Sequence, residues 1–455
     1  MDAIAVFAQH IAETDYDDLP AELHAVGKRF ALDTLGVALA GSSAPGCETV
    51  AELVRGWGGA PESTLFLHGA KVPAHHALLA NTMMSRARDF CDTHDDIGLH
   101  INTSVLPTAL AAAEQRGGAS GREVLAAVAL AGDMMCRMGL AVGTDRPIHF
   151  SAATIYGAFG STAAAGKVLR LDVEQLIHAF GIMLSQTAGN IQCLMDGALS
   201  LRMQQAFGAQ AGMLSARLAQ RGITGARRVL EGEHGFYALY EEGNYRRERL
   251  LDGLGERYEG MNLSMKPYPC CRCNHAGIEA VLTLARRHRI SADQVEKVVV
   301  SLPPFGYTSV GRPFFAGATV VDAQFNMQYT TATALLKGDV FIDDFTPEAV
   351  KEPQRLELAR RVTVLRNDAI RAMKALAPVR VEITTKSGAT HAHTVPAALG
   401  HPSHPMTDTE VREKFRKCAG HAVKTLPAER LAALVSACER LDELDDVREL
   451  TALLA

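Results

Sequence analysis

The sequence carries no excess of basic charge. Its 46 lysines and arginines stand against 51 aspartates and glutamates, a formal net charge of −5, and no basic stripe interleaved with aromatics runs through it. Nucleic acid is therefore not an expected partner. The first residues, Met1-Asp-Ala-Ile-Ala-Val-Phe-Ala-Gln-His10, lack the basic start and long apolar core of a secretory leader. Apolar runs such as Val124-Leu-Ala-Ala-Val-Ala-Leu-Ala-Gly are interrupted by Asp133 and Arg137, short of a membrane span. No membrane partner is expected. The nine cysteines are odd in number and scattered along 455 residues, which fits reduced thiols in a cytoplasm better than a disulfide framework. HExxH, GxSxG, and a GxGxxG that opens a helix after a strand are all missing, as is a lysine in a Schiff-base context. Nothing signals a nucleotide cofactor.

What is present is a long chain of ordinary globular composition, 47% hydrophobic and 21% charged, above the usual size of one core. Up to about residue 260 it reads almost entirely as helix. Apolar stripes of helical period run through Leu23–Leu39, Gly121–Met138, Val173–Leu184 and Gly208–Arg221. Ser120 can cap the run that follows it, and Gly41 and Gly222 stand where helices should stop. Alanine and glycine are frequent in Ala152–Gly166 and Ala206–Gly212, so helix backbones can approach closely. The pattern changes near Met261. Val295–Leu302, Arg361–Leu365 and Val379–Thr385 read as strands, the last followed by a Ser387-Gly388 turn and a hairpin partner at His391–Val395. Helical segments at Ala276–His288 and Ala323–Leu336 lie between them. After Pro405 the chain returns to helix in Asp408–Cys418, Ala428–Leu441 and Asp446–Leu454.

The densest polar stretch is Asp89-Phe-Cys-Asp92-Thr93-His94-Asp95-Asp96-Ile-Gly-Leu-His100, with four aspartates and two histidines in twelve residues. Alanine-rich apolar sequence flanks it on both sides. Burying such a cluster is costly unless its groups are paired or used. A carboxylate beside a histidine suits proton transfer. A solvated loop and a metal site stay open as readings, although the spacing matches no closed zinc pattern. A second stretch, Lys266-Pro-Tyr268-Pro-Cys270-Cys271-Arg272-Cys273-Asn274-His275, is stiffened by two prolines. Lys266, Arg272 and His275 can then converge on an anion, and a structural domain junction fits equally. His149 stands before a small-residue helix, and Arg202 has the planar fork that matches a carboxylate. Gly160–Val168 superficially resembles a phosphate loop but reads as helix packing.

Together these stretches resemble the MmgE/PrpD family, which includes 2-methylcitrate dehydratases, cis-aconitate decarboxylases and iminodisuccinate epimerases. The likeness is carried, in order, by Asp33-Thr-Leu-Gly-Val-Ala-Leu-Ala-Gly-Ser, the Asp89–His100 cluster with Ser104-Val-Leu-Pro, and Ala163-Ala-Ala-Gly-Lys-Val-Leu-Arg-Leu. Leu230-Glu-Gly-Glu-His-Gly-Phe, the Lys266–His275 block, Asp322–Tyr329 and His401-Pro-Ser-His-Pro-Met-Thr-Asp continue it. The resemblance implies a mainly α fold with an α+β part: a helical domain from residues 1–261 and 401–455, and an inserted α+β lid from 262–400. It implies a site between the two, a homodimer, no metal or organic cofactor, and a small di- or tricarboxylate as substrate. Asp89, Thr93 and His100 fall on the family's first site segment, His149 on a second, Lys266 and His275 on a third. One departure is visible. Where similar chains carry Lys-Arg before His-x-Gly-x-Ala-Ala, this one has Leu201-Arg202, with Gln204 and Ala206 following.

The expected activity is a cofactor-independent lyase that takes a proton next to a carboxylate, by dehydration or decarboxylation. An epimerase, a non-catalytic carboxylate binder and a metal-dependent hydrolase are the alternatives. Asp89, His100, His149 and His275 are the expected proton-transfer groups. Thr93, Arg202, Lys266, Tyr268 and Arg272 are the expected substrate contacts.

Overall fold

A computed structural model describes residues 1–142, 150–315, 317–370 and 376–455. The fold is mainly α with a smaller α+β part. The long helices of the first part are Ala21–Ser42, Ala74–Arg86, Asn102–Arg116, Gly121–Ala141, Ala152–Val168 and Ser200–Gln220. Sequence signals place several of their ends. Ser120 and Glu123 form the capping box that starts Gly121–Ala141, satisfying backbone N–H groups that a helix start leaves orphaned. Gly222 takes a left-handed φ of 86° just past Ser200–Gln220, as a helix stop should. Gly41 does not end a helix; it lies inside Ala21–Ser42. A Cβ there would sit 1.8 Å from the Met84 carbonyl oxygen, so its glycine permits helix contact. Gly208 and Gly212 likewise meet the backbone of Ala152–Val168 at 2.8 and 2.7 Å from an added Cβ. This is why the small-residue stretches pack as helices rather than cradle a phosphate.

By length and composition Gly121–Ala141 is apolar enough to cross a membrane, contrary to the reading that its run falls short. It is a core helix here, with 89% of the apolar window buried inside the molecule. Its Asp133 and Arg137 pair at 2.6 Å. Two short elements escaped the sequence reading. One is the hairpin of Ser63–Leu65 with Ala70–Val72; the other is the antiparallel pairing of Thr93–His94 with Leu263–Ser264.

The hydrophobic core is divided. One cluster draws on residues from Ala3 to Met265 and again from Met406 to Leu454. The chain end is stitched into it: Leu67 N–H donates to Leu454 O at 2.6 Å, and Gly121 N–H to Leu444 O at 2.8 Å. The second cluster runs from Tyr268 to Ala398. It is built on a four-stranded sheet in the order Val362–Arg366, Val295–Leu302, Val379–Thr385, Thr390–Val395. The first pair is parallel and the others antiparallel. Val298, Val300 and Leu302 alternate inward, onto the helices His275–His288 and Met327–Lys337. The single segment expected at Ala323–Leu336 is broken after Gln324, where Asn326 caps the second helix through its side chain.

A small third cluster joins the two bodies: Val37, Ala40, Phe90, Ile342 and Cys418. Beneath it, Lys414 from helix Asp408–Ala419 meets Asp33 at 2.5 Å, donates to Phe90 O at 3.1 Å and lies 4.0 Å from the Phe90 ring centroid. Asp33 and Lys414 are both buried, so removing one partner strands the other's charge. Lys414→Met should destabilise the protein by about 3–5 kcal/mol in urea unfolding, and Asp33→Asn with Lys414→Met should recover part of that loss.

Candidate active site

Helix Ala74–Arg86 ends just before the polar cluster. Three residues later Asp89 takes a positive φ of 51°, a conformation that aspartate tolerates better than most residues. The turn is over-determined by charge. Arg86 Nη1 donates to Asp89 Oδ1 at 2.6 Å. Lys266 Nζ donates to the Asp89 carbonyl at 2.9 Å and lies 3.2 Å from Oδ2. All three groups are buried. Burial alone would raise the Asp89 carboxyl, but the charges of Lys266 and Arg86 outweigh it and hold the group below the usual carboxylate range. Asp89 is thus an anion that neutralises its own cations.

The loop then folds back so that Asp92 and His100 meet. The Asp92 carboxylate accepts from Ile101 N–H at 3.1 Å and Asn102 N–H at 3.1 Å, anchoring the start of helix Asn102–Arg116. Its carbonyl receives His100 Nδ1 at 2.7 Å. A carbonyl can only accept, so Nδ1 carries the hydrogen and Nε2 keeps the lone pair. Nε2 makes no hydrogen bond among the described residues. Burial, then the positive charges of Arg86 and Lys266, lower His100 below its ordinary 6.5. The result is a neutral imidazole with a tethered ring and an uncommitted basic nitrogen, on a partly accessible residue. Gln205 fixes its backbone by donating to His100 O at 3.1 Å. His94, buried in the same loop, donates Nε2–H to Glu259 at 3.3 Å.

Arg202 lies in the first turn of helix Ser200–Gln220 and is buried. Its side chain makes no hydrogen bond or ion pair among the described residues, and its Nη1 is enclosed without a partner there. Burial and the neighbouring Arg88 charge lower it to about 10. Arg86 and Asp89 also contribute to its field. Arg86 commits one N–H to Asp89 and leaves its other donors unbonded among the described residues. Two guanidinium groups therefore present unused donors beside a neutral base.

Asp89, His100, Lys266 and Arg202 are thus brought into one electrostatic unit. Thr93 is buried in the strand pair, opposite Ser264. His149 lies outside the described residues. Two expected contacts, Arg272 and Tyr268, and one expected proton-transfer group, His275, are bonded or packed within the protein. Arg272 spends its whole fork on protein: Nε on Asp95 at 3.3 Å, Nη1 on Leu399 O at 2.8 Å and His275 Nδ1 at 3.4 Å, Nη2 on Ser264 Oγ and Ala398 O, both at 3.3 Å. A guanidinium has five N–H donors, so none remains for a substrate. His275 is fully buried with both nitrogens engaged, its Nε2–H donating to Cys270 O at 3.2 Å. Its Nδ1 accepts from Arg272 Nη1. Tyr268 packs in the lid core with its ring centroid 5.3 Å from that of His275. Gln204, at the departure from the resembling chains, clamps a turn by accepting from Asn190 N–H at 2.7 Å and donating to Asn190 O at 3.0 Å.

Sequence reasoning missed Arg86. The only signal for Arg86 was its place in Ser85-Arg-Ala-Arg-Asp89, an arginine at a helix end that normally reads as solvated. Among the described residues no group of three or more His, Cys, Asp or Glu is placed to hold a metal ion.

Two cations lower His100, so removing one must raise it. In a proton NMR titration His100 should stay neutral well below pH 6.5. In Lys266→Met its midpoint should move upward, because a repelling charge is gone and Asp89 loses a counter-ion. An unmoved midpoint would sink the electrostatic account.

Residues 5–248 match the MmgE/PrpD N-terminal domain and residues 268–440 the MmgE/PrpD C-terminal domain. The chain is similar to a cis-aconitate decarboxylase-like protein, oryM, of Aspergillus oryzae, with 27% identity over 98% of this chain and 95% of the relative. It is similar to the cis-aconitate decarboxylase of Aspergillus terreus, with 26% identity over 95% of this chain and 92% of the relative. The mouse cis-aconitate decarboxylase is 27% identical over 94% of this chain and 88% of its own. The chain belongs to the MmgE/PrpD family.

Proposed function

We propose that this protein is a lyase acting on a small di- or tricarboxylate, with His100 moving the proton. The observation that carries this reading is Arg202, a buried guanidinium with no ion-pair partner among the described residues, near Arg86, whose remaining donors are unbonded there. An unpaired buried charge is expensive, and a substrate carboxylate relieves the cost. Leu201 brings no cation of its own, so carboxylate recognition rests on these two arginines. Planar forks suit bidentate carboxylate binding.

The chemistry follows from the tautomer. In a dehydration, Nε2 of His100 removes the proton next to a carboxylate, and the electron pair expels hydroxide, which leaves as water once protonated. In a decarboxylation, the bond to the departing carboxylate breaks, carbon dioxide leaves, and the electron pair on carbon takes up a proton. Two or three substrate charges entering between His100 and the arginines raise the imidazole's affinity for a proton. The same nitrogen can then donate. In both reactions Arg86 and Arg202 face the negative charge that builds next to the remaining carboxylate, where preorganised donors stabilise most. The names of the similar proteins favour decarboxylation of a cis-aconitate-like substrate.

Incubation with cis-aconitate, 2-methylcitrate, citrate and iminodisuccinate, followed by proton NMR in heavy water, tests the reading. One substrate should lose carbon dioxide or water, with deuterium entering any carbon that is protonated. His100→Ala should cost about 10²-fold or more in turnover, and Arg202→Met a similar factor in kcat/KM. Deuterium exchange without loss of a fragment would mean epimerisation, and saturable binding without conversion would mean a carboxylate-binding protein.

A further inference from the structure

The lid reaches the helical body through a short helix, Val320–Gln324, started by a capping box of Thr319 and Asp322. That start is seated on the body. A Cβ added to Gly197, in the turn ahead of helix Ser200–Gln220, would stand 3.1 Å from Thr319 Oγ1. At the other end Gln324 is buried. Its side-chain nitrogen donates to Arg88 O at 3.0 Å and to Pro269 O at 3.1 Å, which uses both hydrogens of the amide. Both partners are carbonyls and can only accept, so the nitrogen must be the atom between them. The Gln324 carbonyl in turn accepts from Cys271 N–H at 2.9 Å and from Asn274 Nδ2 at 3.0 Å. One residue thus ties the segment that carries Lys266 to the turn that carries Arg86 and Asp89.

We propose that Gln324 is a positioning residue of the acid–base site, a neutral bridge that holds Lys266 in place on Asp89. Three successive carbonyls of the turn accept from side chains of three distant segments. Arg88 O accepts from Gln324, Asp89 O from Lys266 at 2.9 Å and Phe90 O from Lys414 at 3.1 Å. The two ammoniums bring charge, which Asp89 and Asp33 balance. The amide of Gln324 brings none, so it fixes spacing without adding a cation beside Arg86 and Lys266. A glutamate of the same shape would turn acceptors toward two carbonyls. Transmission from Pro269 to Lys266 follows from the sequence between them. Pro267 and Pro269 fix their own φ and restrict the residues before them, so the stretch moves as a stiff unit and a hold at Pro269 is a hold on Lys266. The Asp322-Ala-Gln-Phe-Asn326 stretch thereby gains a use for each polar residue: Asp322 and Asn326 cap helices and Gln324 bridges. The kinetic arm of the test below rests on the lyase reading; the exchange arm does not.

Gln324→Met keeps the length of the side chain and loses both donors. Amide hydrogen exchange, read by mass spectrometry, should rise severalfold in the peptides spanning Arg86–His94 and Leu263–Cys273 and stay unchanged in His275–His288 of the lid core. On whichever carboxylate of the panel is turned over, kcat and kcat/KM should fall together by about 10²-fold. Lys266→Met with Gln324→Met should lose no more than Lys266→Met alone, because the contact that Gln324 serves is already gone. Gln324→Asn keeps the amide but shortens its reach by one methylene. It should behave like Gln324→Met, and it carries the same test where the methionine variant does not fold. Unchanged exchange around Asp89 overturns the proposal. A rise spread evenly through the lid core also overturns it, since that marks general loosening, as do kinetic losses at Lys266 and Gln324 that simply add. If no carboxylate is consumed, the lyase reading fails and the exchange pattern still decides the role of Gln324.

Discussion

The ammonium of Lys266 seated on Asp89 is the contact on which the other site geometry depends. Lys266 comes from the segment that leads into the lid, and Asp89 from the turn after a long helix of the other body. Their meeting at 2.9 Å to the carbonyl and 3.2 Å to the carboxylate fixes two things at once. It holds Asp89 in a left-handed conformation, and it sets the lid segment against the helical body. The next carbonyl, Phe90 O, is held in the same way by Lys414 at 3.1 Å. Two successive carbonyls are thus gripped by ammonium groups from distant parts of the chain. A buried cation is costly without anions and acceptors around it; Asp89 faces Lys266 and Asp33 faces Lys414. The turn, the lid segment and the C-terminal helix are therefore parts of one charge-balanced junction.

Charge balance there explains the imbalance beside it. Asp89 is consumed by Lys266 and Arg86, so nothing is left for Arg202. Burial, and then the charges of Arg86 and Lys266, outweigh the pull of Asp89 and keep His100 neutral. A neutral base beside guanidinium groups with unused donors leaves the local charge positive. The same reasoning bears on the carboxylate that the sequence placed foremost: an aspartate held below its usual range by two cations stays ionised and counters the charges of Lys266 and Arg86.

Much of this fold was legible because periodicity is local. Val295–Leu302 and Val379–Thr385 alternate as strands in the sequence and are strands in the structure. Ser120 and Glu123 announced a helix start by their spacing alone. The site was legible only in part, because it depends on which donors are already spent. Nothing in the sequence distinguishes Arg202, whose side chain has no partner among the described residues, from Arg272, whose five N–H groups are all taken. Arg272 looked free because Asp95 lies 177 residues away, and the carbonyls at Ala398 and Leu399 carry no sequence signal. Arg86 looked like a solvated helix end because its counter-ion becomes visible only once Asp89 turns back on it. Backbone acceptors and long-range pairs are what a linear reading lacks.

The tautomer of His100 carries the same point one step further. Side-chain chemistry says only that a histidine can be an acid or a base. The choice here is made by a main-chain carbonyl, that of Asp92, whose own carboxylate is spent on anchoring the helix start at Ile101 and Asn102. One residue thus uses its side chain to place the helix and its backbone to place the proton. A substitution that keeps a carboxylate at this position but lengthens it, as glutamate would, preserves charge and loses the loop closure. The basicity of His100 is then a property of the Asp92–Asn102 turn as much as of the imidazole, and through Arg86 and Lys266 it is also a property of the junction between the two bodies.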